Sequence, residues 1–242
     1  MSTKPVPAIF IPALLCDETM YRDVIADLGD TIQAQVMLSP KPDLADSVAD
    51  ILARAPATFA LVGTSYGGSL ALEIALAAPL RVTALWLMGC NASAPQAGGP
   101  DLAASLDADP DRVIDRLSGL VVHKDASTAA ATYREMAQRL GGKVGAAQAR
   151  AAATRQDAVG RLGKLAMPTL LIWGADDALS PLSYGQVLAS GIPQAHLEVL
   201  EGCGHLPTLE KPAECAALFR ALLQQVTGTP TSSPRPPQTP AP

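Results

Sequence analysis

Short apolar segments recur along the chain, each bounded by Gly, Pro or Asp, and they predict buried strands. They are four to seven residues long and lack regular polar alternation, as is typical of strands covered on both faces of a sheet. The predicted strands lie at residues 8–11, 32–37, 59–62, 82–88, 169–173 and 196–200. Helical patterns fall between them, at residues 20–28, 44–54, 69–77, 182–189 and 212–226. This alternation predicts an α/β fold, in which a mostly parallel sheet carries helices on both faces.

Residues 91–164 interrupt the alternation. They are rich in Ala, Gly and Arg and contain no convincing strand, although helices are predicted at 111–117, 128–140 and 146–153. Because this segment separates two strands of one sheet, it predicts a small helical lid inserted into a core formed by residues 1–90 and 165–226. Residues 227–242 are rich in Pro, Thr and Ser, a composition that predicts a disordered tail.

Composition and charge argue against two classes of partner. The 242 residues are 48% hydrophobic and carry a net charge of -5, and their 18 Lys and Arg residues are scattered singly. A nucleic-acid surface needs clustered cations, so we expect no nucleic-acid partner. No apolar run approaches the roughly 18 residues of a membrane span, so we expect no membrane partner either.

The first residues and the cysteines indicate a cytoplasmic protein. Pro5, Pro7 and Pro12 interrupt the first apolar run, and Asp17 lies where a signal-peptide cleavage site would be expected, so we interpret this segment as a buried strand. The four cysteines form no C-x-x-C pair. We therefore expect small buried hydrophobic side chains in a reducing compartment.

A candidate nucleophile lies in the segment F-A-L-V-G-T-S-Y-G-G-S-L-A-L-E, residues 59–73. Here a predicted strand passes through a G-x-S-x-G turn into a predicted helix, the context in which Ser65 would be exposed on a strained elbow. Gly63 and Gly67 are small, as the close approach of strand and helix requires. The alternative is a tight turn whose serine only caps the helix.

A serine hydroxyl needs a base, and the chain has three histidines. His205 lies in the Gly-rich segment L-E-G-C-G-H-L-P, directly after a predicted strand, where α/β sheets hold reactive groups. His196 lies at the opposite end of that strand. His123 falls in the predicted lid, as a solvated residue or alternatively a substrate contact. His205 is therefore the predicted base.

An acid must orient the imidazole, and two aspartates follow the predicted strand in P-T-L-L-I-W-G-A-D-D-A-L-S-P. Both lie between Ser65 and His205 in the chain order Ser, Asp, His. Asp177 has the spacing G-x-x-D-x-x-x-P, whereas Asp176 is better suited to a turn hydrogen bond. We predict Asp177 as the orienter, with Asp176 as the alternative.

These three motifs together resemble the α/β-hydrolase fold family, in its lid-bearing single-domain branch, over residues 8–226. The resemblance implies Ser65 as nucleophile, Asp177 as orienter and His205 as general base and acid. It also implies that the backbone amide of Tyr66 is one oxyanion donor. Relatives often have an N-terminal hairpin before the first strand seen here, so we expect about six strands rather than eight.

The second oxyanion donor in this family comes from the loop after the first central strand. Relatives carry His-Gly there, whereas this chain has Pro12 and Ala13, followed by Leu14 as the implied donor. The loop is similar to a bacterial subgroup with P-G-L-L-C-D, from which Ala13 departs. If the family's glycine needs a positive φ, alanine adds strain at that position.

The family resemblance implies a hydrolase that forms an acyl-enzyme and needs no cofactor or metal. Mostly apolar lining residues favour a small or medium, largely uncharged carboxylic ester as the small-molecule partner. The candidate lining residues are Met88, Cys90, Asn91, Leu179 and Leu206. One alternative is a hydrolase of enol-lactones or carbon-carbon bonds. Another is a ligand-binding module with an idle triad, which the unusual Pro12 and Ala13 motivate.

Overall fold

Six strands form one parallel sheet among residues 4–95, 98 and 101–228, which are the residues that this computed structural model describes. The strands are β1 Val6–Ile11, β2 Ile32–Val36, β3 Phe59–Thr64, β4 Val82–Met88, β5 Thr169–Gly174 and β6 Ala195–Leu200. Their order across the sheet is β2-β1-β3-β4-β5-β6, and every neighbouring pair is parallel. The predicted parallel sheet of about six strands is confirmed. Most of the predicted tail, from residue 229 onward, lies outside the described residues.

Helices occupy most of the segments between these strands. They are α1 Arg22–Leu28, α2 Leu44–Arg54, α3 Tyr66–Ala77, α4 Leu102–Ala108, α5 Pro110–Ser118, α6 Ser127–Ala153, α7 Leu182–Gly191, α8 Pro207–Glu210 and α9 Pro212–Thr227. Pro110 and Pro212 each stand in the first turn of a helix, where the missing N–H leaves no hydrogen bond unmade. None of the described helices combines the length and the apolar character that a membrane span requires.

Two hydrophobic clusters cover the two faces of the sheet. Consecutive residues of β1 belong to different clusters: Phe10 belongs to the cluster that includes residues of α1 and α9, whereas Ile9 belongs to the cluster that includes residues of α2, α3 and α7. Side chains of the central strands β3, β4 and β5 are therefore buried on both faces, whereas the edge strands β2 and β6 keep exposed positions. Burial on both faces is the reason that the strand segments lack polar alternation.

Helices α4, α5 and α6 are inserted between β4 and β5. Helix α6 is kinked at Gly141, whose φ of 75° and ψ of 166° are not helical. The kink lies between the two helices predicted at residues 128–140 and 146–153. Helix α4 was not among the predicted elements, although Asp101 accepts a hydrogen bond from the amide of Ala104 and so caps its first turn.

Candidate active site

Ser65 occupies a sharp turn between β3 and α3. Its φ of 56° and ψ of -117° are unusual for a residue with a side chain, and its amide donates to the carbonyl of Met88 at 2.8 Å. A Cβ at Gly63 would overlap the carbonyl oxygen of Gly67, and a Cβ at Gly67 would overlap those of Ile11 and Pro12. Only glycine fits these two positions, so the turn itself selects the G-x-S-x-G pattern.

His205 and Asp177 form a buried pair. Nδ1 of His205 lies 2.8 Å from Oδ2 of Asp177, and their side chains are 3% and 2% exposed. The other carboxylate oxygen, Oδ1, accepts from the amides of Leu179 at 2.9 Å and Ser180 at 2.8 Å. Because an ionised carboxylate can only accept, the imidazole proton lies on Nδ1 and the lone pair lies on Nε2.

Asp176 lies apart from this pair. Its side chain is 51% exposed, and its Oδ2 is 3.8 Å from Nε2 of His123. The structure therefore brings Asp177, and not Asp176, to His205.

The loop after β4 supports the imidazole, and the sequence patterns did not indicate this contact. Gly89 has a φ of +54°, and a Cβ there would lie 2.8 Å from Cε1 and 2.9 Å from Nδ1 of His205. The carbonyl of Gly89 accepts a hydrogen bond from the buried hydroxyl of Ser180 at 2.7 Å. Gly89 thus allows the histidine ring to lie directly against the backbone. The sequence signal that could have indicated this contact is a glycine directly after an apolar strand.

Glu210 joins the His205 loop to the helical insertion, and it was also missed. Its Oε2 accepts from the amides of Gly204 at 2.9 Å and His123 at 2.7 Å, and its Oε1 accepts from the amide of Leu206 at 3.2 Å. The side chain of His123 is 18% exposed, so this residue is less solvated than predicted. The amides on both sides of His205 are held by one carboxylate.

Ser65 and His205 line a common cavity of about 600 Å³, within the size range of small-molecule sites. The predicted residues Leu14, Tyr66, Asn91, Leu179 and Leu206 also line it, as does Cys90. The insertion contributes further lining residues, namely Leu102, Leu117, Val121 and Tyr133.

One cavity-related prediction differs from the structure. Met88 does not reach the cavity, because it belongs to the buried cluster of Phe10 and Trp86, where its Sδ accepts from the Thr64 hydroxyl at 3.8 Å. The lining, which was predicted to be mostly apolar, also includes the charged residue Arg155.

The backbone amides of Leu14 and Tyr66 lie on the two chain segments that meet beside Ser65. Neither amide donates to an acceptor in the described part of the chain. The strain expected at Ala13 falls instead on Leu15, whose φ is 61°, and the Leu15 amide donates to Oε1 of Gln148 at 2.9 Å. The alanine therefore does not occupy the left-handed position of this loop.

Cys90 is the cysteine that lines the cavity, and it is a poor competitor for the role of nucleophile. Burial raises the pKa of its thiol to about 12, so the reactive thiolate is scarce at neutral pH. All four cysteines are buried and unpaired. In the described part of the chain, no group of three or more His, Cys, Asp or Glu side chains is arranged to hold a metal ion.

Comparisons with known proteins identify similar sequences. The model of a family described as the alpha/beta hydrolase family matches residues 16–218. A 2-hydroxy-6-oxononadienedioate/2-hydroxy-6-oxononatrienedioate hydrolase of Cupriavidus pinatubonensis is 32% identical over 164 residues, 60% of this chain and 55% of that protein. A pimeloyl-(acyl-carrier protein) methyl ester esterase of Aromatoleum aromaticum is 31% identical over 197 residues, 72% of this chain and 77% of that protein. The match to the first of these relatives spans only about half of its length.

The fold is also that of a solved enol-lactonase from Burkholderia xenovorans. The two structures agree with a TM-score of 0.81 at 17% sequence identity, over 92% of each chain. At this identity the agreement concerns the fold.

Proposed function

Since this chain belongs to the alpha/beta hydrolase family, we propose that it is a serine hydrolase that cleaves carboxylic esters through an acyl-enzyme intermediate. The observation that carries the proposal is the buried His205–Asp177 pair, which borders the same cavity as Ser65 on its strained turn. The three hydrogen bonds of Asp177 support the proposal, because they hold the carboxylate where it can fix one imidazole tautomer.

In the proposed first step, Ser65 Oγ attacks the ester carbonyl carbon while Nε2 of His205 accepts the hydroxyl proton. The carbonyl oxygen becomes an oxyanion, which the amides of Leu14 and Tyr66 stabilise, each by about 3 kcal/mol. Collapse of this intermediate breaks the bond to the alcohol oxygen, which takes the proton from His205 and leaves. We expect the Ser65 hydroxyl to form a hydrogen bond with Nε2 of His205 when substrate binds.

In the second step, His205 removes a proton from water as the water oxygen attacks the acyl carbon. Collapse of this intermediate breaks the bond to Ser65 Oγ, which takes the proton back from His205. The released product is a carboxylic acid, and every atom and proton is accounted for by the chain and water. We further propose that the insertion, residues 91–164, acts as a lid, because its helices supply one wall of the cavity. The four unpaired cysteines support a reducing, cytoplasmic location.

Ester hydrolysis by purified protein, with Ser65→Ala as the comparison, tests the proposal. We expect Ser65→Ala to lower kcat by about 10⁴-fold or more while the melting temperature stays close to that of the wild type. A fluorophosphonate should label Ser65 in the wild type only, as a mass increase on one peptide. A folded wild type that neither reacts with the probe nor cleaves any ester would instead support the ligand-binding module.

Hydrolysis of carbon-carbon bonds or enol-lactones is the second candidate. It is favoured by the name of one similar protein, the nonadienedioate hydrolase. The same Ser65, His205 and water serve all of these acyl transfers, so the fold does not choose between them. Inactivity toward simple esters together with Ser65-dependent turnover of a vinylogous diketo acid or an enol-lactone would select this candidate.

A further inference from the structure

Arg155 places a positive charge in the wall of the Ser65 cavity. It lies just after α6, and its Nε donates to the carbonyl oxygen of Ser93 at 2.8 Å. The amide of Ala158 donates to the carbonyl of Ala92 at 2.7 Å, so a second hydrogen bond joins the same two segments. The guanidinium is therefore anchored through Nε, and its two terminal nitrogens, which carry four N–H donors, make no hydrogen bond to a described residue.

Four of the seven arginines of the insertion are paired with acids, whereas Arg112, Arg116 and Arg155 form no salt bridge with a described residue, and of these three only Arg155 lines the Ser65 cavity. Among the described residues, the arginines at 134, 139, 150 and 161 each form a salt bridge with an Asp or Glu side chain. Arg155 forms none with them, and its terminal nitrogens make no hydrogen bond to them. The undescribed residues between Pro95 and Asp101 are Gln, Ala, Gly and Pro, and none has an acidic side chain.

Among the described residues, no carboxylate contributes to the shift of the Arg155 pKa. Burial lowers the pKa of its guanidinium, and the groups that act in the opposite direction are Cys90 and Tyr184. An arginine nevertheless stays protonated at neutral pH. A partly buried cation without a counterion is costly to the protein, so it marks a position that an anionic ligand would stabilise.

We propose that Arg155 is a specificity-determining residue that binds a carboxylate on the substrate, so that the preferred ester is anionic rather than uncharged. This inference rests on the proposed serine hydrolase function and names its substrate class. The two terminal nitrogens suit the two oxygens of a carboxylate, which arginine binds in a bidentate manner. The carboxylate belongs either to the acyl part, as in a half-ester of a dicarboxylic acid, or to the alcohol part, as in an ester of a hydroxy acid.

Matched ester pairs separate charge recognition from catalysis. In one arm, monomethyl esters of dicarboxylic acids from succinate to suberate are compared with methyl esters of monocarboxylic acids of equal carbon number. In the other arm, acetyl esters of hydroxy acids are compared with acetyl esters of uncharged alcohols of equal length. We expect the wild type to prefer the anionic member of at least one pair by about tenfold or more in kcat/KM.

Arg155→Met should lower this preference by about tenfold to a hundredfold, and Arg155→Lys should retain part of it as a point charge. Arg150→Met is the matched control, because Arg150 pairs with Asp107 and does not line the Ser65 cavity. We expect Arg150→Met to keep the wild-type preference. Equal effects of Arg155→Met and Arg150→Met, or no anionic preference in either arm, would overturn the inference and leave the hydrolase function standing.

Binding keeps the inference testable if no ester is turned over. Calorimetric titration of the half-esters and acetylated hydroxy acids into Ser65→Ala measures affinity without chemistry. Adding Arg155→Met to this variant should raise Kd by about tenfold or more for the preferred ligand. An unchanged Kd, or no binding by Ser65→Ala, would overturn the inference, whereas absent turnover with Arg155-dependent binding would count only against the hydrolase function.

Discussion

Two groups of residues beside the same cavity differ in how their polar atoms are used. In the His205 network, formed by His205, Asp177, Ser180, Gly89 and Glu210, side chains and backbone amides bond to one another. In the Arg155 group, formed by Arg155 and Ser93, only Nε of the guanidinium is bonded to a described residue. The His205 network is therefore held by bonds within the protein, whereas the terminal nitrogens of Arg155 have no partner among the described residues, which is the difference that our two proposals use.

The difference has an energetic basis. A buried hydrogen bond to a charged group contributes about 1.5 to 3 kcal/mol, and Asp177 makes three such bonds, to His205, Leu179 and Ser180. That rigidity is useful for proton transfer, which depends strongly on distance and angle. A residue that binds the substrate needs hydrogen-bond donors that the protein leaves unused. Donors that already bond to the protein would add little binding free energy when a substrate arrives.

The largest effect within the His205 network is expected from Asp177→Asn. The amide can present NH₂ to Nδ1 and so favour the wrong imidazole tautomer, and we expect kcat to fall by about 10⁴-fold. Asp176→Asn is the matched control, because this carboxylate is 51% exposed and lies beside His123 instead. Initial rates on the best ester of the panel measure both variants. Comparable losses in the two variants would contradict the assignment of Asp177 as the orienter.

A smaller loss is expected from Gly89→Ala. The added methyl would lie within 3 Å of the His205 ring, and displacing the imidazole by about 1 Å is expected to lower kcat about a hundredfold. Gly202→Ala separates this displacement from backbone strain, since Gly202 has a φ of +60° and a methyl group added there would meet no atom within 4 Å.

Both alanine variants should lose about 1 to 2 kcal/mol of unfolding free energy, because alanine is strained at positive φ. Only Gly89→Ala should lose activity at a temperature at which both proteins are folded. Denaturant titration and initial rates test the two statements separately. If Gly202→Ala lost as much activity as Gly89→Ala, strain in the loops, and not contact with the imidazole, would explain the effect.

Spacing along the chain was sufficient to predict the strands and the positions of Ser65, Asp177 and His205. Each of these three residues directly follows a strand or lies in the next loop, so a local pattern defines its place at the carboxyl edge of the sheet. The prediction that Met88 lines the cavity was wrong, because it considered the position of Met88 at the end of a strand and not the direction of its side chain. Side chains alternate along β4, so Met88 shares the buried face of Trp86 and points away from the cavity.

Gly89, Glu210 and Arg155 were not predictable in the same way. Ser180 bonds to Gly89 across 91 residues, His123 to Glu210 across 87, and Arg155 to Ser93 across 62. No local periodicity encodes such pairings, because they depend on how the helical insertion packs against the sheet. The proximity of His205 and Asp177 was therefore predictable from the sequence, whereas the contacts that support this pair and the charge in the cavity wall required the structure.

The smallest of these effects is expected from Glu210→Gln, which tests whether the His205 network depends on the insertion. The carboxylate oxygens accept three amide donors, and a glutamine nitrogen facing any of these N–H groups would repel it. We expect a loss of about 2 kcal/mol in unfolding free energy, equivalent to a fall of about 4 to 8 °C in Tm, and about a tenfold loss in kcat.

Glu214→Gln provides the comparison, because this glutamate is 58% exposed and its nearest cation, Lys211, is 3.9 Å away. An exposed pair of this kind contributes little, so stability and kcat should stay close to those of the wild type. The decisive measurement for Glu210→Gln is kcat well below its melting temperature. A lowered kcat there means that the amides beside His205 must be held for catalysis, whereas an unchanged kcat with a lowered Tm would restrict Glu210 to attachment of the insertion.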